Sequence, residues 1–217
     1  MEVVNAMSRK PTDALLVQAS LPPGNADQLP ALLIRLRSAL QNAPVQLHAA
    51  FNAAEGVFYG YLHLAHRTQL EQAVVASLEA TLASQWPQLQ KLRVSRLEKV
   101  LDKSGASTGS QAVFHYVVEM DPETGWMPDL AQWYDTEHLP GLATVSGCIR
   151  ATRFLNHDHG PLSLACYDLV TEETLGSPAW LAVRETEWSS RMRPHFTHTI
   201  RTMFKVLADD GSLNAQH

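Results

Sequence analysis

The hydrophobic positions along the chain follow two alternating periods. Short runs of mostly apolar residues, typical of buried strands, are separated by segments whose apolar residues recur every three or four positions, as on one face of a helix. This pattern predicts the order strand, helix, strand, strand, helix, strand, and the same order returns in the second half of the chain. The predicted strands are Ala14–Ser20, Val45–Phe51, Val57–Leu64 and Leu92–Val100, then Ala112–Met120, Cys148–Leu155, Leu162–Thr171 and His198–Leu207.

Capping residues and prolines mark the ends of the predicted helices. The second helix begins at the capping box Thr68–Glu71, and the fourth begins at Ser177, a good cap that is followed by proline. The third helix should end near His138, because Pro140 disfavours helical backbone in the residue before it. The predicted helices span residues 29–40, 68–85, 128–138 and 177–193.

The repeated order predicts an α+β fold made of two ferredoxin-like βαββαβ units in tandem. Each unit would hold a four-stranded antiparallel sheet with two helices on one face. Because the other sheet face has to be covered, we expect the two sheets to pack as a barrel-like body. The predicted divisions are a flexible N-terminus (1–11), a first ferredoxin-like domain (12–101), a Gly/Ser-rich linker (102–111), a second ferredoxin-like domain (112–207) and a flexible tail (208–217).

Composition and charge exclude several classes of function. The 217 residues are 45% apolar and 18% charged, as in an ordinary globular protein. We expect a cytoplasmic protein with no membrane partner, because no apolar stretch is long enough to span a bilayer. A net charge of −5 without a Lys/Arg cluster argues against a nucleic-acid partner. Cys148 and Cys166 lie in separate predicted strands and should be buried, reduced thiols.

The densest group of chemically versatile side chains lies between Trp133 and Pro140. Tyr134 and His138 are four residues apart, so they share one face of a helix. The helix dipole and Asp135 favour the imidazolium form of His138, whereas burial opposes it. We therefore predict that the pKa of His138 lies near neutral pH, which suits acid–base catalysis, and that Tyr134 orients the substrate. The alternative is a structural histidine that donates a hydrogen bond to a loop carbonyl.

Further substrate-binding candidates follow from their positions on the helix and strands. Trp133 is one position off the Tyr134–His138 face, so packing in the core is the favoured prediction for it. Alternation along the strands places His115 on the face away from the helices, and Arg153 and Tyr167 are predicted to project to that side as well. For Arg153 an ion pair across the sheet is the alternative.

No metal site is predicted. His157 and His159 bracket Asp158 in a predicted hairpin loop, but a fourth ligand at a definite spacing is lacking, which favours a polar turn. His195 and His198 follow the last predicted helix, where hydrogen bonding at the helix end is the first explanation.

The second half resembles a known family. The element Trp-Tyr-x-x-x-His-x-Pro, with Gly147 before the Arg150–Phe154 strand and the Leu164–Leu169 strand after it, resembles the EthD-like branch of the dimeric α/β-barrel superfamily over residues 112–207. The first half matches by topology only and lacks this element. The resemblance implies a cavity between or inside the sheets for small apolar or aromatic molecules, and it carries Trp133, Tyr134 and His138 over as site residues.

Three functions remain open. The leading hypothesis is a small-molecule enzyme that acts on a hydrophobic or aromatic metabolite by proton transfer, isomerisation, cyclisation or cofactor-free oxidation. A non-catalytic ligand-binding or stress-response module is the first alternative. A haem-binding barrel is the second, because the superfamily has haem-binding members. No cofactor is assigned, and the repeats could pair within one chain or between the chains of a homodimer.

Overall fold

The computed structural model describes residues 9–40, 45–209 and 211–213. Most of the predicted N-terminal segment 1–11 and the end of the predicted tail 208–217 lie outside these residues, although residues 10 and 11 belong to the first strand. The chain is α+β and divides into two compact units. The first contains the residues up to Glu98 with Asn156–His159 and Leu207–Ser212, and the second contains Lys99–Leu155 and Gly160–Val206.

The first unit has an antiparallel sheet with the strand order β4-β1-β3-β2. Leucines of its first helix and of its second helix pack in one buried cluster with side chains of this sheet. The elements are β1 (Lys10–Ser20), α1 (Leu29–Arg37), β2 (Val45–Asn52), β3 (Val57–Leu70), α2 (Gln72–Gln85) and β4 (Gln90–Ser104), whose last residues belong to the second unit.

The predicted start of the second helix is wrong. Residues 68–70 extend β3, where they pair with Lys10–Thr12 of β1, and α2 begins only after Glu71. The hydroxyl of Thr68 donates to the His66 carbonyl instead of capping a helix. Strand pairing has therefore overridden a local capping signal.

The second unit repeats this arrangement with the strand order β8-β5-β7-β6, again antiparallel. Its helices bury aromatic and aliphatic side chains against one face of the sheet. The elements are β5 (Phe114–Pro122), α3 (Met127–Trp133), a π-helical segment (Tyr134–His138), α4 (Leu139–Ala143), β6 (Cys148–Asn156), β7 (Ser163–Leu169), α5 (Pro178–Arg184), α6 (Glu187–Met192) and β8 (Phe196–Val206).

The sequence predicts that the helix with the aromatic–histidine element ends near His138. In the structure this helix continues past Pro140. Its backbone changes to a π-helical turn at Tyr134, in which the Leu139 N–H donates to the Tyr134 carbonyl, and it continues as α4. A proline ring in a helix collides with the carbonyl four residues earlier, here that of Thr136. The wider π turn opens the backbone at that point, so the helix passes through the proline.

The predicted last helix is also divided. Ser177 caps α5 as expected by accepting a hydrogen bond from the Trp180 N–H at 3.3 Å. A break follows at Glu185, and Thr186 caps α6 through the Ser189 N–H at 3.1 Å.

The Gly/Ser-rich stretch is not a free linker. Asp102 to Ser104 continue β4, and Asp102 pairs with Arg150. The next residues bond backbone to backbone with the start of β6 in the same unit: Gly105 N–H donates to the Ile149 carbonyl at 2.8 Å and Ser107 N–H to the Cys148 carbonyl at 2.8 Å. A side chain at Gly105 would collide with the Cys148 carbonyl, so the small residues serve close backbone contact.

The His157–His159 turn belongs to the first unit and is held by charge pairs. Asp158 accepts three hydrogen bonds from the buried Arg96, at 2.7, 3.0 and 2.7 Å, while His157 pairs with Glu98 and His159 with Glu79. Burial alone would raise the pKa of Asp158, but the bonds from Arg96 lower it below its usual value. The turn is structural, as its sequence pattern suggested.

Asp158→Asn should destabilise the protein by about 3–5 kcal/mol, because it leaves the buried Arg96 charge without its counter-charge. Asp13→Asn is the matched control, since Arg67, the partner of Asp13, is 48% exposed and such a pair contributes about 0–1 kcal/mol. Urea unfolding curves of the two variants test this. Equal losses in both would contradict the assignment.

Candidate active site

An aromatic pocket lies between the sheet and the helices of the second unit. It holds about 450 Å³ of open space, its mouth included. The resemblance implied a cavity between or inside the sheets, whereas this pocket is on the helix-covered face. Its lining residues are Tyr116, Val118, Trp133, Tyr134, His138, Leu142, Tyr167, Trp180, Arg184, Ser189, Arg193, Phe196 and Arg201.

Buried aromatic rings form the walls. Tyr167 packs edge-on against Trp180 with 5.1 Å between centroids and stacks with Tyr116 at 6.1 Å. On the other side Trp133 lies 4.6 Å from the Tyr134 ring. Such walls suit a flat, apolar ligand.

His138 is a neutral imidazole. Its ring stacks on Trp133 at 4.1 Å between centroids and meets the edge of Tyr134 at 5.6 Å. Burial and, to a smaller extent, the charges of Arg184 and Arg193 lower the pKa of His138 to about 3. The prediction of a histidine poised near neutral pH is therefore wrong, because desolvation outweighs the helix dipole.

The alternative, a hydrogen bond from His138 to a loop carbonyl, is also wrong. Its buried Nδ1 has no partner among the described residues. The loop into β6 is held by other contacts: Ala106 N–H donates to the Ala143 carbonyl at 2.8 Å, and Gly147 has a φ of +92° directly against Thr174. His138 is not needed to lock this turn.

Tyr134 is a protonated phenol beside the imidazole. Burial raises its pKa, against a smaller opposing effect of Arg153, whose guanidinium lies 5.1 Å from the ring centroid. The π turn brings the Tyr134 and His138 rings into contact. The phenol can therefore donate a hydrogen bond to a ligand oxygen near the imidazole.

Trp133 is both core and pocket wall. Its side chain is only 1% exposed, as the core prediction required, yet it lines the pocket. Its indole Nε1 is buried without a partner among the described residues, and the same holds for Trp180. A buried donor without an acceptor costs about 1–3 kcal/mol. Trp133, Trp180 and His138 all line the pocket, and each carries a buried polar atom without a partner among the described residues.

The predicted strand residues divide between the two faces of the sheet. His115 lies on the face away from the helices and pairs with Asp168 at 2.7 Å. Tyr167 and Arg153 were predicted on that face and instead lie on the helix face, because Tyr167 is directly opposite Tyr116 and Arg153 opposite Ala165 in the register. Tyr167 lines the pocket, whereas His115 and Arg153 do not.

Arg153 pairs weakly with Asp135. Its Nη1 lies 3.4 Å from the Asp135 carboxylate, and its buried Nη2 has no partner in the described part of the chain. This ion pair differs from the predicted one, because Asp135 is on the helical segment and not across the sheet.

Nine of the thirteen lining residues were not predicted as site residues, and these nine include Trp180, Arg184, Arg193 and Arg201. These four belong to α5, to the turn after α6 and to β8, far from residue 138 in sequence. Their types are ordinary for a helix and for the exposed positions of a strand, so only the tertiary fold identifies them.

The sequence matches no protein-family model and no curated protein. Solved structures share its fold at low identity. An anthrone oxidase-like protein has a TM-score of 0.61 at 10% identity, covering 90% of this chain and 91% of its own. A candidate monooxygenase from Fusobacterium nucleatum subsp. nucleatum has 0.61 at 9%, covering 90% and 92%. Chlorite dismutase from Candidatus Nitrospira defluvii, in complex with imidazole, has 0.61 at 7%, covering 92% and 93%.

These neighbours are members of the dimeric α/β-barrel superfamily, and at such identities the likeness shows the fold alone. The EthD-like branch is not established by it. None of the described helices is long and apolar enough to cross a membrane.

The burial of neutral His138 makes stability depend on pH. Since its pKa is about 3 when folded and near 6.5 otherwise, the unfolded state binds more protons between these values, so the free energy of unfolding falls as pH decreases from about 6.5 towards 3. His138→Gln should flatten this part of the profile. Urea unfolding of both proteins at a series of pH values checks it, and parallel profiles would contradict the buried neutral state.

Proposed function

We propose that the protein is a small-molecule enzyme in which His138 acts as a base on a hydrophobic or aromatic metabolite. The observation that carries the proposal is a neutral imidazole that lines a pocket walled by aromatic rings. In this proposal the two units are tandem ferredoxin-like repeats of a cytoplasmic dimeric α/β-barrel protein, acting as a single chain or as a homodimer.

The common chemical step is proton abstraction from carbon. The C–H bond next to a carbonyl or phenol-derived system breaks, the proton moves to the imidazole lone pair, and the electron pair shifts to the oxygen as an enolate. Isomerisation and cyclisation continue from this enolate by reprotonation or by carbon–carbon bond formation. Oxidation continues from it with dioxygen as the co-substrate that accepts the electrons.

Tyr134 supports this step because it remains protonated. A raised pKa keeps its hydroxyl as a donor, and a phenol beside the base can hydrogen-bond to the developing oxyanion. The enolate also offsets the cost of forming imidazolium, since opposite charges attract strongly in a site with little water.

A non-catalytic binding module is the second candidate. The same low pKa favours it, because an imidazole that holds protons weakly is a weak base in the free protein. The two candidates differ only in whether a bound ligand is converted.

Haem does not fit the pocket residues. His138 is the pocket's one histidine in the described part of the chain, and one face of its ring is covered by Trp133 while Tyr134 abuts it. An axial histidine binds iron through the in-plane lone pair of a ring nitrogen, which must face an open slot wide enough for the macrocycle. The Nδ1 of His138 is buried and faces no such slot.

Anthrone is a suitable probe, since one fold neighbour is named for its oxidation. Oxygen uptake and absorbance should report turnover above the buffer rate, and His138→Ala should lower kcat by about 10²–10⁴-fold, the usual contribution of a general base. Tyr134→Phe should lower kcat less.

His198→Gln is the matched control, because His198 is exposed, pairs with Asp121 and lies outside the pocket. Normal turnover in His138→Ala would refute the role of the base. Anthrone that binds without being converted would favour the binding module.

A further inference from the structure

Three arginines line the mouth of the aromatic pocket without a counter-charge. Arg184 is half-buried and Arg193 and Arg201 are exposed, so they mark the open side, while the aromatic walls are buried. Arg193 donates to the Ser189 carbonyl at 3.2 Å and to the Ser190 hydroxyl at 3.3 Å, both neutral acceptors. Within the described residues none of the three arginines forms an ion pair, and no carboxylate lines the pocket.

This arrangement runs against the local charge balance. Residues 102–217 contain 8 Lys/Arg and 15 Asp/Glu, a net charge of −7. Carboxylates are therefore abundant in this half of the sequence, yet none of those among the described residues lines the pocket. Three neighbouring cations repel one another, and an anion between them would relieve this repulsion.

The walls behind the arginines are aromatic. Tyr116, Tyr167 and Trp180 pack against one another there, with 5.1 to 6.4 Å between ring centroids. The walls therefore suit an aromatic skeleton, and the arginines suit a negative charge.

We propose that the ligand of this pocket is an aromatic molecule that bears an oxygen anion, a carboxylate or a phenolate, held by Arg184, Arg193 and Arg201 at the mouth and by the aromatic rings within. This inference rests on the proposed function in that it names the substrate class for the same pocket. Guanidinium groups suit such anions because they bind oxygen pairs in one plane.

The affinities of naphthoate and of its uncharged isostere naphthamide are compared to test whether the pocket prefers a negative charge. Binding of naphthol is measured at pH values below and above its own pKa, which shows whether a phenolate is bound as well as a carboxylate. Binding to the full chain is measured by calorimetry and by quenching of tryptophan fluorescence. Naphthoate should bind at least about tenfold more tightly than naphthamide, as expected for charge-assisted hydrogen bonds, and its affinity should fall with added salt.

Arg184→Gln and Arg201→Gln should each remove most of this preference. Arg191→Gln is the matched control, because Arg191 lies in the same helical region but stacks over Trp188 and does not line the pocket. Equal affinity for naphthoate and naphthamide, equal losses in all three variants, or no binding of any probe to a protein shown folded by circular dichroism would overturn the proposal.

The outcomes separate this inference from the proposed function. Turnover that depends on His138 together with indifference to ligand charge removes only the anion site. An arginine-dependent preference for naphthoate without any turnover that depends on His138 removes only the catalytic role.

Discussion

The π-helical turn at Tyr134–His138 is the local constraint on which the pocket depends. A regular helix could not pass Pro140 without a collision at the Thr136 carbonyl. The wider turn lets the helix continue to Ala143 and at the same time sets the His138 ring against both Trp133 and Tyr134. Irregular turns of this kind are frequent at functional sites. Here the same turn accommodates Pro140 and positions the His138 ring.

Burial without hydrogen bonds gives the pocket its chemical character. The indoles of Trp133 and Trp180 and the imidazole of His138 each carry a buried nitrogen that no described residue satisfies. Each such group costs about 1–3 kcal/mol, so three around one space are unusual for a region that only has to be stable.

The sequence was sufficient for the order of the elements and for the aromatic–histidine element. It failed where tertiary pairing overrode a local signal, as at Thr68, which β1 holds in a strand, and at Pro140, where the backbone adjusts rather than stops. The predicted side-chain directions of Tyr167 and Arg153 were wrong. The alternation along one strand shows which face a residue of the next strand occupies only when the pairing register of the two strands is known.

The arginines and Trp180 illustrate a different limit. They reach the pocket from α5, β8 and the turn after α6, so no local spacing connects them to His138. The charge of His138 could not be predicted either, since the sequence contains the dipole and Asp135 but not the degree of burial. Desolvation and the two arginine charges decide it, and both are properties of the folded unit.

The same arginines link binding to the strength of the base in the proposed complex. In the free protein, burial and the charges of Arg184 and Arg193 both disfavour imidazolium. An anion bound between the arginines would compensate the second of these effects, so His138 would hold a proton more readily when ligand is present. If the pKa of His138 rises only when the ligand binds, the empty pocket holds no buried positive charge at this histidine. Proton transfer then takes place only in the complex.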